Sequence, residues 1–154
     1  MSCKGKNLVS DQTLFNSKTP LAHFASTIPI YGQHVFGYIS VYCNSDILLM
    51  ICNSLFGKNN TEFSDNFLLD LTGEINNNIV GNLKHQFSDQ KEVILSGLPV
   101  SIKGHSQALT LLPSSPMHLI TLSIDNIHCY VEFALGDTVR ITASEKKQSI
   151  RIFN

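Results

Sequence analysis

The chain has 154 residues, enough for one domain with a buried core of its own and too few for two domains of ordinary size. Lys and Arg number 11 against 12 Asp and Glu, a formal charge of -1, so no basic field exists to hold a phosphate backbone and nucleic acid is not expected as a partner. Hydrophobic residues make up 43 % and charged residues 15 %, which excludes a charge-rich disordered chain and points to a globule whose polar surface is largely Ser and Asn.

The first residues, Met1-Ser2-Cys3-Lys4-Gly5-Lys6, carry no apolar stretch behind the lysines, and the longest apolar run, Ile47 to Cys52, is far too short to span a bilayer. A cytoplasmic protein without membrane contact is expected. Leu21 to Tyr31 and Val35 to Cys43 alternate partially and are separated by Gly32-Gln33-His34, the pattern of a hairpin. Asn44-Ser45-Asp46 offers a helix cap, Ile47, Ile51 and Leu55 follow at four-residue steps, and Gly57 supplies a stop. After the polar break at Lys58 to Thr61, a longer helical pattern runs from about Asp65 to Phe87 with Ser64 as its cap. From Val93 the period becomes that of strands: Val93 to Lys103, a short Ala108 to Leu112, Met117 to Ile124, and Ile127 to Leu135, the last two joined by Asp125-Asn126. Strand, strand, helix, helix and then strands predict an α+β fold, an antiparallel sheet with two main helices packed on one face.

Neither the four cysteines (Cys3, Cys43, Cys52, Cys129) nor the six histidines (His23, His34, His85, His105, His118, His128) fall at metal-ligand spacing, so no metal site is expected. The long helix is the informative element. At about 100° per residue, Leu68, Leu71, Ile75, Ile79 and Leu83 share one stripe, with Leu69, Val80 and Phe87 at its far edge, and this is the predicted core face. The opposite side carries Asp70, Glu74, Asn77, Gly81 and Lys84, a candidate binding face; Glu74 and Asn77 lie three residues apart and are neighbours at about 5–6 Å. Gly81 gives up about 1 kcal/mol of helix propensity relative to Ala, and Asn76, Asn77, Asn78 and Asn82 give up roughly 0.5 kcal/mol each. A carboxylate and an amide beside a position with no side chain suit close approach by another macromolecule; the alternative is that Gly81 makes a tight helix-helix contact and the asparagines merely solvate the face. Asn82 falls toward the apolar side and is expected to be a buried, hydrogen-bonded structural amide.

The segment Gly73-Glu74-Ile75-Asn76-Asn77-Asn78-Ile79-Val80-Gly81-Asn82 resembles the signature of the CheX branch of the CheC/CheX/FliY chemotaxis phosphatases, in which a helix carries E-x-x-N followed by x-x-x-G-N. The match falls on Glu74, Asn77, Gly81 and Asn82, and the flanking Leu55-Phe56-Gly57, Leu98-Pro99 and Gly104-His105 are similar to the family's surroundings of that helix. The resemblance implies a phosphatase for the aspartyl phosphate of a CheY-type receiver domain. Asn77 would orient the attacking water and Glu74 would pair with the receiver's lysine; these two are the expected catalytic residues. It further implies a homodimer with one site per chain, no cofactor in this chain, and Mg2+ held by the receiver. An amide that donates and accepts hydrogen bonds suits such a role, since phosphoryl transfer asks mainly for positioning and charge stabilisation.

The same face would serve a receiver-binding adaptor without catalysis, and a purely structural dimer module is a third possibility, favoured if Glu74 and Asn77 are buried in its own interface. The expected organisation is an N-terminal segment, 1–20, lacking the family's usual first helix, a CheX-like domain over 21–135, and a C-terminal extension, 136–154.

Overall fold

A computed structural model describes residues 9–14, 22–57, 63–89, 93–104, 117–124 and 127–137. Chain order is β1 (Val9–Leu14), β2 (Phe24–Gly32), β3 (Val35–Cys43), α1 (Ser45–Phe56), α2 (Asp65–Asp89), β4 (Ile94–Ser96), β5 (Val100–Lys103), β6 (Met117–Ile124) and β7 (Ile127–Asp137). The strands form one sheet in the order β1-β6-β7-β3-β2-β4, with β5 also on β2. Every pairing is antiparallel. The predicted hairpin is β2 and β3, turning at Gln33 and His34, and the two predicted helices fall at the expected places.

Gly57 ends α1 at φ +83°, a conformation glycine adopts without cost. Asn44 occupies the cap position of α1 but makes no capping bond through its side chain. Ser64 caps α2 as expected, its hydroxyl accepting from the Phe67 amide at 3.3 Å. Phe56, Phe63 and Phe67 form a mutual cluster, Phe63 lying 6.2 Å from Phe56 and 5.2 Å from Phe67 and those two 5.9 Å apart between ring centroids, and it pins the start of α2 to the end of α1.

Both helices cover the same face. Ile47, Leu48 and Cys52 of α1 and Leu68 and Val80 of α2 bury against Phe24, Ile28, Ile30, Ile39, Val41, Cys43 and Val131 of the sheet. The opposite face is buried too, around Ala25, Tyr38, Ser40, Tyr42 and Ala134. Residues 37–43 of β3 are therefore buried without alternation, as a central strand covered on both sides must be. Glu132 lies on that second face at 3 % exposure, accepting from the Tyr38 and Tyr42 phenols at 2.7 and 3.2 Å. Burial, and then Glu132, push both phenols well above the ordinary tyrosine range; for Tyr38 the hydrogen bond to Glu132 is the second cause and for Tyr42 its charge.

The structure corrects the single strand expected over Val93 to Lys103. It is two short strands, each paired with β2 on either side of Pro29. The Pro29 carbonyl points to this edge and accepts from the Gly97 amide at 2.9 Å, so the donor that proline lacks also faces this edge. The chain therefore leaves the sheet at Gly97-Leu98-Pro99, and a Cβ on Gly97 would lie 2.7 Å from Pro29 Cγ. Residues 9–14, within the N-terminal segment expected to lack the family's first helix, form edge strand β1 on β6. The strand expected over Ala108 to Leu112 and the C-terminal extension, 136–154, lie outside the described residues, apart from the end of β7.

Candidate functional site

Helix α2 crosses β2 and β3 and meets β4 and β5 along its flank. Gly73 allows the approach of β5: a Cβ there would lie 3.2 Å from the Ser101 hydroxyl. The residues buried deepest on α2 are Leu68, Thr72, Asn76 and Val80, while Leu71, Ile75, Ile79 and Leu83 are only partly buried. The buried line is turned by about 60° from the apolar stripe predicted by periodicity.

Asn76 is the reason, and it corrects the assignment of the buried amide to Asn82. Asn82 is exposed. Asn76 is fully buried, and its Nδ2 donates to two strand carbonyls, Ser26 O at 2.8 Å and Ile39 O at 3.1 Å. Its Oδ1 and the Ser26 hydroxyl have no hydrogen-bond partner, each a cost of about 1–3 kcal/mol. Periodicity could not show this: around the helix Asn82 lies within about 20° of Leu71 and Ile75, inside the apolar stripe, whereas Asn76 lies about 80° from the centre of that stripe.

The far side of α2 presents Asp70, Glu74, Asn77 and Gly81, all exposed. Asn77 Nδ2 donates to Glu74 Oε1 at 3.5 Å, a long contact between two exposed residues that engages neither the amide oxygen nor the second carboxylate oxygen. Asn78 turns back and donates to the Glu74 carbonyl at 2.9 Å, so it belongs to the helix backbone rather than to the outer face. A Cβ on Gly81 would meet nothing within 4 Å, so the glycine is not there for a contact inside this chain. Lys84, at the end of the face, is only partly exposed and donates to the Ser96 hydroxyl of β4 at 3.4 Å. Thus Asp70, Glu74, Asn77 and Gly81 form one surface, while Lys84 is drawn toward the sheet edge.

Two surface hollows, one beside Asp46, Met50 and Asn53 and one beside His23, Asp65 and Lys103, include neither Glu74 nor Asn77. Among the described residues no group of three His, Cys, Asp or Glu side chains could hold a metal ion, and no helix is long and apolar enough to cross a membrane. What the site offers is a rigid strip of one carboxylate and one amide beside a gap, able to place hydrogen bonds on the surface of another molecule.

A single antiparallel sheet with two helices on one face, the longer showing this strip outward, defines an α+β domain of the CheC/CheX class. The chain belongs to the CheX family of chemotaxis phosphatases, whose model matches residues 24–123. Similar solved structures include a CheC-like chemotaxis protein of Shewanella oneidensis (15 % identity, 84 % of each chain covered, TM-score 0.75). A CheX of Desulfovibrio desulfuricans is also similar (18 % identity, 85 % of this chain and 87 % of that chain, TM-score 0.72). So is CheX of Borrelia burgdorferi, in a CheX-CheY-BeF3-Mg2+ complex (17 % identity, 86 % of each chain, TM-score 0.68). At these identities the structures speak for the fold alone. No curated protein matches the chain.

Proposed function

We propose that the chain accelerates hydrolysis of the aspartyl phosphate of a CheY-type receiver domain. The observation that carries this reading is the outward Glu74 and Asn77 pair beside an open Gly81 on the family's helix. In support, the Borrelia burgdorferi relative was crystallised with CheY, BeF3 and Mg2+. In this reading the receiver binds the Mg2+ and supplies the phosphoryl group. Its surface closes over α2, with the gap at Gly81 giving it room, and Glu74 pairs with a cation of the receiver. Asn77 holds a water through its amide, in line with the scissile P–O bond, and excludes competing geometries without taking a proton itself.

The reaction takes place in the cytoplasm, and the active form is a homodimer with one site per chain. The exposed Tyr31, Leu95 and Val100, which share the sheet face beside β4 and β5, are the apolar surface a second copy would cover. Light scattering should give twice the chain mass; a monomer at micromolar concentration would reject the dimer.

The function is tested by following a phosphorylated CheY-type receiver in Mg2+ buffer with and without the chain. Faster loss of acyl phosphate supports the phosphatase. Tight association with unchanged decay would leave an adaptor, and neither binding nor faster decay across a panel of receivers would reject both. A purely structural dimer module would bury Glu74 and Asn77 in its own interface; within the chain both are exposed.

A further inference from the structure

We propose that Asn76 is a positioning residue that sets the rotation and axial register of α2, and through them the direction in which Glu74 and Asn77 project. The proposal rests on the reading of Glu74 and Asn77 given above. The apolar residues alone would seat α2 on the stripe of Leu68, Leu71, Ile75, Ile79 and Leu83. In the structure these are mostly half-buried, and the line facing the sheet runs through Leu68, Thr72, Asn76 and Val80. Two of its four members are polar. The Thr72 hydroxyl bonds within the helix, to Leu68 O at 2.7 Å, so it fixes nothing outside α2. The Asn76 amide alone reaches across, gripping one carbonyl on β2 and one on β3. A single group held from two adjacent strands fixes both rotation about the helix axis and translation along it.

Its placement matches that task. Around the axis Glu74 lies about 160° from Asn76, Gly81 about 140° and Asn77 about 100°, so the anchor is on the side of the helix turned away from the exposed strip. Along the axis, Asn76 is two residues from Glu74 and one from Asn77, within about 3 Å. A small rotation at the anchor therefore swings the Asn77 amide directly. A buried amide with an unpartnered oxygen is a poor choice for stability, and an apolar side chain would fill the same space without that penalty. Local conflict of this kind is expected where function constrains the sequence.

The test compares Asn76→Leu with Thr72→Val, each at a folded concentration fixed by circular dichroism. Asn76→Leu should lower kcat for receiver dephosphorylation by about tenfold or more and raise KM as well, since Glu74 turns with Asn77. The larger loss should fall on kcat, because in-line water placement tolerates less misplacement than an ion pair does. Thr72→Val should leave both constants unchanged. A wild-type kcat in folded Asn76→Leu would overturn the proposal, as would an equal loss in Thr72→Val. A crystal structure of Asn76→Leu gives a reading independent of activity: α2 should turn so that Ile75 and Ile79 go inward, and superposition on the wild-type helix would overturn the proposal. If Asn76→Leu does not fold, Asn76→Ser, too short to reach both strands, is read in the same way. In the wild-type protein, the Asn76 side-chain amide protons should exchange slowly; fast exchange would overturn the grip itself. A wild-type chain inactive on every receiver would sink the phosphatase reading, while the rotation of α2 and the amide exchange would still decide the role of Asn76.

Discussion

Asn77 and Glu74 are three residues apart and touch, yet the roles assigned to them separate in kinetics. Removing one preorganised hydrogen-bonding group costs about 10²-fold or more in rate, so Asn77→Ala should lower kcat by that factor with the fold intact, since the side chain is exposed. Glu74→Gln keeps shape and removes charge; KM should rise and its salt dependence weaken, while kcat falls less than in Asn77→Ala. Steady-state kinetics at low and moderate salt read both, and an unchanged KM at both salts would reject the docking role. Gly81 is a residue whose stability and function should pull in opposite directions. A Cβ there meets nothing, so Gly81→Ala should gain about 1 kcal/mol of helix stability in urea unfolding. Gly81→Leu should fold equally well but raise KM, because the larger side chain fills the gap a receiver would enter. A Gly81→Leu enzyme with wild-type KM would show that nothing approaches there.

At the scale of elements, α2 is held at several points along its length. Its start is tied by the Ser64 cap and the Phe56, Phe63 and Phe67 cluster, its middle by Asn76, and its flank by the close passage of β5 at Gly73. Phe63→Ala removes one ring of this mutually packed cluster, and large-to-small changes at packed aromatics cost about 3–5 kcal/mol when fully buried. Phe63 is only partly buried, so a loss of about 1–3 kcal/mol is expected. Because the candidate site is about 15 Å further along the helix, kcat per folded molecule should be preserved. A kcat that collapsed in step with nothing but this truncation would mean that the aromatic cluster steers the site.

Over the whole molecule, the second face of the sheet gives a signature in alkaline solution. Tyr38 and Tyr42 are held neutral by burial and by Glu132, so their folded pKa values lie above the unfolded value of about 10. Above that pH the unfolded chain loses phenol protons that the native chain keeps, and the equilibrium moves toward unfolding. The contribution of these phenols is thus fully present below about pH 10 and declines as pH rises past it. Urea unfolding at about pH 9 and about pH 11 should show this decline, and a Tyr38→Phe, Tyr42→Phe protein should show a smaller one. Cys43, directly across from Cys129 in the β3 and β7 pairing, has its thiol pushed up to about 12, first by burial and then by Cys129. It should resist alkylation at neutral pH in the native protein and react once urea unfolds the chain.

The sequence by itself determined what repeats at a fixed period or is local in chain. The hairpin at Gln33 and His34, the stop at Gly57, the Ser64 cap, the length of α2 and the outward placement of Asp70, Glu74, Asn77 and Gly81 all follow from residues within a turn or two of one another. The signature on α2 likewise named the family, because its spacing is a property of one helix. Only the tertiary structure decided which asparagine is buried. Periodicity ranks faces by hydrophobicity, and the azimuth of α2 is set by two carbonyls, Ser26 O and Ile39 O, that lie 50 and 37 residues away in the chain. The break between β4 and β5 was hidden for the same reason, since it answers to Pro29 on a neighbouring strand. So was Glu132, which reads as a solvent-facing residue on an alternating strand until Tyr38 and Tyr42 are brought over it from β3. Burial of a polar group depends on partners distant in sequence, and no local pattern records them.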